Sequence, residues 1–148
     1  MRFPFKQVAY SRSFVTLGGR TVRPRPIVTI SLVGPLRTLP EQARIDSGSD
    51  DTLFPERVAA QMGLDLTGAP VEIHQTQGLG SLRIRYSQVK LRLTDGVEFR
   101  EWPAWVGFAA GLSRAVLGFS GFLQFFTTTI HGETEIVELD TNPLFPGT

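Results

Sequence analysis

Fifteen glycines and ten prolines cut this 148-residue chain into short pieces, and within the pieces apolar and polar residues tend to alternate. A long amphipathic helix cannot survive such punctuation, whereas strands of a few residues with a side-chain period of two are well served by it. Residues 26–32 are β-branched and stop at Gly34-Pro35, and 41–45 lead into the turn Asp46-Ser47-Gly48. Segments 71–75 and 82–86 flank Gly78-Leu79-Gly80 as a glycine-tipped hairpin. Segments 89–93 and 97–101 flank Thr94-Asp95-Gly96, where Asp-Gly tolerates the positive φ of a hairpin turn. Segments 105–107, 115–117, 125–130 and 135–139 complete the set of expected strands. Only two stretches look helical. One is 55–62, with Pro55 at the first turn, Glu56 early and Gly63 as the stop; the other is a short helix or turn within 119–126. With no repeat, low-complexity run or linker, the expectation is one domain over 1–148, all-β with one or two short helices.

Composition narrows the chemistry. There is no cysteine, hence no disulfide framework and no thiolate metal site, and His74 and His131 have no recognisable ligand spacing around them. Neither a metal nor a cofactor is expected. The longest apolar candidate, 115–129, is broken by Gly118, Gly121 and Gln124, and Met1-Arg2-Phe3-Pro4 opens no secretory signal, so no membrane partner and a cytoplasmic location are expected. Residues 1–40 carry seven Arg or Lys and no acid, which leaves eight bases against all 14 acids in the remainder. Such asymmetry is one mark of a nucleic-acid arm. Phe3, Phe5, Val8, Phe14, Val15 and Leu17 are threaded through the basic residues, however, and favour strands packed beside the acidic remainder or across a dimer from it.

Chemistry is concentrated in Ile45-Asp46-Ser47-Gly48-Ser49-Asp50-Asp51. An apolar residue delivers one carboxylate into a turn built from a hydroxyl residue and a glycine, which holds that carboxylate rigidly at a strand end. Ser47 has no histidine or lysine close in sequence to activate it as a nucleophile. The carboxylate is therefore the reactive group.

The segment Asp46 to Phe54 closely resembles the active-site segment of retropepsin-like aspartic proteases, of the bacterial stand-alone kind: apolar-Asp-(Thr/Ser)-Gly-(Ala/Ser)-Asp. The resemblance extends over about 25–140, with 1–24 as an N-terminal extension. It includes the glycine-tipped hairpin at the position of the flap and Ala115-Val116-Leu117-Gly118, which matches the family's apolar-apolar-Gly signature beside the catalytic loop. The resemblance implies a closed β-barrel with one lobe per chain. It also implies an aspartic endopeptidase acting on peptide or protein substrates without metal or cofactor. Asp46, Ser47 and Gly48 would form the catalytic turn, with Ser47 bonding across the dimer axis. Asp50 and Asp51 at the cleft edge, Gly78, Leu79 and Gly80 in the flap, and Phe108 and Leu112 in a pocket loop would contact substrate. Trp102 and Trp105 are read as packing residues. One departure stands out: Phe119 occupies the place where many retroviral members carry an Arg paired with the second acid, which leaves Arg114 as the candidate partner of Asp50.

The motif occurs once. Thr94-Asp95-Gly96 has acid and hydroxyl in the wrong order, and Leu139-Asp140-Thr141-Asn142 lacks the glycine. Aspartic protease chemistry uses two carboxylates sharing one proton, one polarising water and the other donating to the substrate carbonyl. Two negative charges about 3 Å apart repel by about 5 kcal/mol at an effective dielectric near 20, the established reason that such a pair titrates as a unit. One copy per chain thus implies a two-fold homodimer that brings two Asp46 side chains together. The alternative is a catalytically silent dimer of this fold that binds peptide or nucleic acid.

Overall fold

The computed structural model describes residues 1–76 and 80–148. The strands are β1 (Arg2–Pro4), β2 (Lys6–Phe14), β3 (Arg20–Arg25), β4 (Ile27–Val33), β5 (Thr38–Ile45) and β6 (Leu53–Pro55), followed by helix α1 (Glu56–Met62). After it come β7 (Val71–Thr76), β8 (Gly80–Thr94), β9 (Phe99–Ala109), β10 (Ala115–Leu117), β11 (Phe126–His131) and β12 (Ile136–Thr141). Seven strands form one sheet in the order β4-β5-β10-β6-β9-β8-β7, and β8 also pairs with β4. That last pairing, Ile30 to Leu93 through Val33 to Lys90, closes the sheet into a barrel and leaves β7 on its flank. The expected closed, mainly β architecture is what the chain forms.

Two expected strand breaks are absent. The segments 82–86 and 89–93 are one strand, β8, because Ser87 and Gln88 keep their pairing with Val106 and Trp105. Likewise β9 runs through Pro103, which faces Lys90. Proline is tolerated there because β9 has β6 beside it only from Gly107 onward, so the missing N–H removes no rung from a second neighbour. Pro40 in β5 follows the same rule, since β10 joins β5 only from Ala43.

Helix α1 begins directly after Pro55 and stops at Gly63, whose φ of 74° is left-handed and whose N–H reaches the carbonyls of Ala59 and Ala60. Val58, Ala59 and Met62 form its buried face. The stretch 119–126 makes only a single 3₁₀ turn at Leu123–Phe125. No helix among the described residues is long and apolar enough to cross a membrane.

Inside, Trp102 is fully buried, with ring centroids of Phe126, Phe145 and Phe122 at 5.3, 5.6 and 6.0 Å. Its indole N–H donates to the carbonyl of Gly121 at 3.1 Å, so the polar atom of the largest core side chain is satisfied. Full burial of a side chain such as Leu91, Leu93 or Phe122 is worth about 1.5–3 kcal/mol each. Trp105, by contrast, is exposed.

The basic N-terminus is bound to the acidic remainder. Strand β1 pairs with β12, giving a three-stranded sheet β1-β12-β11. Met1 and Phe3 join the core, the Met1 amino group contacts Glu98 at 2.9 Å and Arg2 contacts Glu138 at 2.7 Å. Strands β2 and β3 form a separate hairpin whose Phe14 is buried beneath Arg12 and Arg23.

Candidate active site

The short strand β10 lies between β5 and β6, parallel to the first and antiparallel to the second. A chain leaving β5 at Ile45 must therefore arch over the end of β10 to enter β6 at Leu53, and residues 46–52 are that arch. Backbone bonds fasten it to the segment after β10. Asp46 N–H donates to Leu117 at 3.1 Å, Phe119 N–H to Ser49 at 2.9 Å, Ser120 N–H to Asp50 at 2.8 Å and Thr52 N–H to Ser120 at 3.1 Å. Gly118 is required by this contact: a Cβ there would run into the backbone oxygens of Asp51 and Ser49. The apolar-apolar-Gly element thus threads beside the Asp46 loop, as the resemblance implies.

Asp46 sits at the front of the arch with its side chain 32% exposed. Its Oδ1 accepts the Gly48 N–H at 3.0 Å and its carbonyl accepts the Ser49 N–H at 3.1 Å. Its Oδ2 accepts from Arg44 Nη2 at 2.6 Å. Position 48 is close quarters as well, since a Cβ would lie 3.3 Å from Oδ1. Ser47 is exposed, and among the described residues its hydroxyl has no hydrogen-bond partner. The hydroxyl that braces the loop is that of Ser49, donating to the carbonyl of Asp51 at 2.8 Å. Sequence reasoning passed over both Ser49 and Arg44. A serine two residues before an acid is a recognisable turn former, whereas nothing in the pattern marks Arg44.

The two following acids part company. Asp50 is exposed, and Arg114 does not pair with it; Arg114 stands on another wall, beside Tyr10 and Arg25, so the expected replacement for the missing arginine is not made. Asp51 is tied to the β7–β8 hairpin. The Tyr86 hydroxyl donates to Asp51 at 2.8 Å and lies 3.4 Å from Glu72, whose carboxylate accepts from His74 Nε2 at 2.8 Å. Burial first, and then the bond to Asp51, raise the Tyr86 hydroxyl well above the ordinary tyrosine range. The His74 bond is the main cause holding Glu72 below the usual carboxylate value. Asp51, Glu72 and His74 place potential metal-binding atoms within 4.8 Å of one another, but both carboxylates are already engaged by Tyr86 or His74.

Strands β7 and β8 pair from Val71–Arg85 to Thr76–Gly80, which is the expected hairpin, and Gly80 has a φ of 74°. Gly78 and Leu79, expected at its tip, lie outside the described residues. Phe108 is turned away from the protein surface. It is fully buried with its ring 6.1 Å from Phe54, because the inward-facing register of β9 places it in the core. Leu112 does reach a concave surface, a cavity bordered also by Arg44 and Val116.

Comparison with solved structures fits this geometry. The chain superposes with a TM-score of 0.55 on the retroviral protease-like domain of Ddi1 from Leishmania major, at 16% identity, covering 84% of this chain and 94% of that one. It superposes with a TM-score of 0.54 on a retropepsin-like aspartic protease from Rickettsia conorii, at 15% identity, covering 89% of this chain and 97% of that one. No family model and no curated protein matches the sequence. Identities this low establish architecture alone. The chain has the fold of the retropepsin-like aspartic protease domains.

Proposed function

We propose that the protein is an aspartic endopeptidase in which two Asp46 carboxylates, one from each chain of a homodimer, activate water against a peptide carbonyl. The observation that carries this reading is the setting of Asp46. It is held by the Gly48 amide at the front of an arch locked over β10, partly exposed, in a fold shared with aspartic proteases. The arch contains one such carboxylate, so the second comes from a partner chain. One Asp46 takes a proton from water as general base while the other donates to the carbonyl oxygen. The exposed Ser47 hydroxyl, without an intrachain partner among the described residues, bonds across the two-fold axis. Asp50 meets the substrate backbone, Asp51 supports the flap hairpin through Tyr86, and the segment around Gly78, Leu79 and Gly80 covers the substrate. No metal or cofactor takes part.

One contact favours a second reading. Arg44 already pairs with Oδ2 of Asp46 within the chain, which suits a dimer that binds peptide without cleaving it. The same experiment separates the two. Wild type and Asp46→Asn are incubated with a peptide library, cleavage is read by mass spectrometry, and mass in solution is measured by sedimentation equilibrium. The endopeptidase reading expects a dimer, cleavage by the wild type and none by the variant. Cleavage by both proteins alike, or a folded dimeric wild type that cleaves nothing, removes Asp46 catalysis.

A further inference from the structure

Arg44 marks the border between Asp46 and a cavity of about 710 Å³. The paired strands β5 and β10, with the 112–114 segment before β10, supply one side of its lining, and Lys6, Tyr10 and Arg25 come from the β2–β3 hairpin. The lining holds five cationic side chains, Lys6, Arg25, Arg44, Arg57 and Arg114, against one acid, Glu41. That acid is already neutralised, since Arg57 donates to both of its oxygens, at 2.8 and 3.1 Å. Among the described residues Lys6, Arg25 and Arg114 have no carboxylate partner. Among these residues Arg44 has Asp46 as its one carboxylate partner. Ile27 and Val116 add aliphatic surface between the charges.

From this arrangement we propose that the cavity is the substrate subsite beside the scissile bond and that it takes an acidic side chain, so that the preferred substrates carry Glu or Asp next to the cleaved peptide bond. The proposal rests on the aspartic endopeptidase reading for the position of the scissile bond, while the charge of the cavity stands independently of it. Guanidinium groups pair with a carboxylate through planar, two-pronged bonds, and three unpaired cations in a concave wall leave such a carboxylate little competition. When the second Asp46 arrives in the dimer, Arg44 turns from its own chain's carboxylate to the bound one. Tyr10 records the same field. The Arg25 hydrogen bond first, and then the charges of Arg25, Arg114 and Arg23, hold its hydroxyl below the ordinary tyrosine value. A nucleic-acid backbone is also anionic, but single strands are bound on successive aromatic faces, and among the described residues that line the cavity Tyr10 is the one aromatic.

The test has a cleavage arm and a binding arm. In the first, wild type, Arg114→Glu and Lys6→Glu cleave matched peptides differing only by Glu or Gln beside the scissile bond. The wild type should favour the Glu peptide by about tenfold or more in kcat/KM, and either charge reversal should abolish or invert that ratio. In the second arm, Asp46→Asn with and without Arg114→Glu is titrated with the same two peptides and with a single-stranded DNA oligonucleotide, followed by fluorescence anisotropy. The Glu peptide should bind more tightly than the Gln peptide, and Arg114→Glu should erase the difference. If the wild type cleaves nothing while this binding preference holds, the endopeptidase reading falls and the acidic subsite stands. Equal cleavage and equal binding of the two peptides overturn the subsite, and DNA binding as tight as the Glu peptide overturns it in favour of a nucleic-acid groove.

Discussion

Replacing Gly118 with alanine tests whether the Asp46 arch is held by its contact with the end of β10. The new Cβ would sit 2.6 Å from the Ser49 oxygen and closer still to that of Asp51, backbone atoms that cannot rotate away. To restore an ordinary carbon–oxygen contact the arch must retreat by about 1 Å, given the steep cost of overpacking. Phe119→Ser49 and Ser120→Asp50, now at 2.9 and 2.8 Å, would then stretch past useful hydrogen-bond length. Two lost bonds at about 1 kcal/mol each, added to about 1–3 kcal/mol of overpacking, give a loss of about 3–5 kcal/mol. For a chain of this size that lowers Tm by about 10–15 °C. Gly132→Ala is the control, because a Cβ there meets nothing within 4 Å and Gly132 has no positive φ. Urea unfolding followed by the fluorescence of Trp102, buried in the core, reads both variants against wild type. If Gly118→Ala falls within about 1 kcal/mol of Gly132→Ala, the arch is not fastened as described and the close contact at Gly118 is not a constraint.

Two further expectations concern titrating groups. Asp95 accepts backbone N–H bonds from Glu98, Arg2 and Val97, which lower its carboxyl to about 2. Because its folded value is depressed, its stabilisation is complete above the unfolded value of about 3.9 and disappears as pH falls through about 2. Asp95→Ala should therefore cost about 1–2 kcal/mol at neutral pH, with a gap from wild type that closes in that acid window in denaturant titrations. A gap independent of pH down to about 2 would refute the capping role. The protein's two tyrosines, Tyr10 and Tyr86, are shifted in opposite directions, so phenolate absorbance should rise in two separate steps, the earlier one lost in Tyr10→Phe. A single merged step would contradict both environments.

What the sequence disclosed depends on whether the information is local. The helix stop at Gly63, the Asp-Gly hairpin turn and the Asp46 turn are each written in a few neighbouring residues, and each forms where its residues require. Strand lengths were less legible, because Pro40 and Pro103 break a strand only when a second neighbour needs the missing N–H, and neighbours are a tertiary property. Phe108 illustrates the same limit. A one-residue change of register decides between core and pocket, and only the pairing with β8 and β6 sets that register. The Tyr86–Asp51 bond joins residues 35 apart in sequence, and no spacing rule anticipates it.

Arg44 makes the relation between fold and site sharper. In β5 it lies opposite Val116 in β10, so its direction is fixed by the same parallel pairing that places the arch. The strand therefore delivers two opposite charges to one spot, Arg44 from its penultimate position and Asp46 one residue beyond its end. In one chain they satisfy each other. In a two-fold dimer the two Asp46 side chains converge, and four groups must share the space of two. Two like carboxylates tolerate that proximity only with a shared proton or a neighbouring cation, and here the cation is built into the strand. If the arginine remained on the carboxylate, the pair could hold two negative charges and the proton that catalysis needs would be lost. Turning Arg44 into the cavity removes that competition, and a substrate carboxylate there would hold it away. On the proposed reading, the acidic subsite and the catalytic pair would be coupled through one side chain, because a substrate carboxylate that drew Arg44 into the cavity would also free Asp46 to meet its partner.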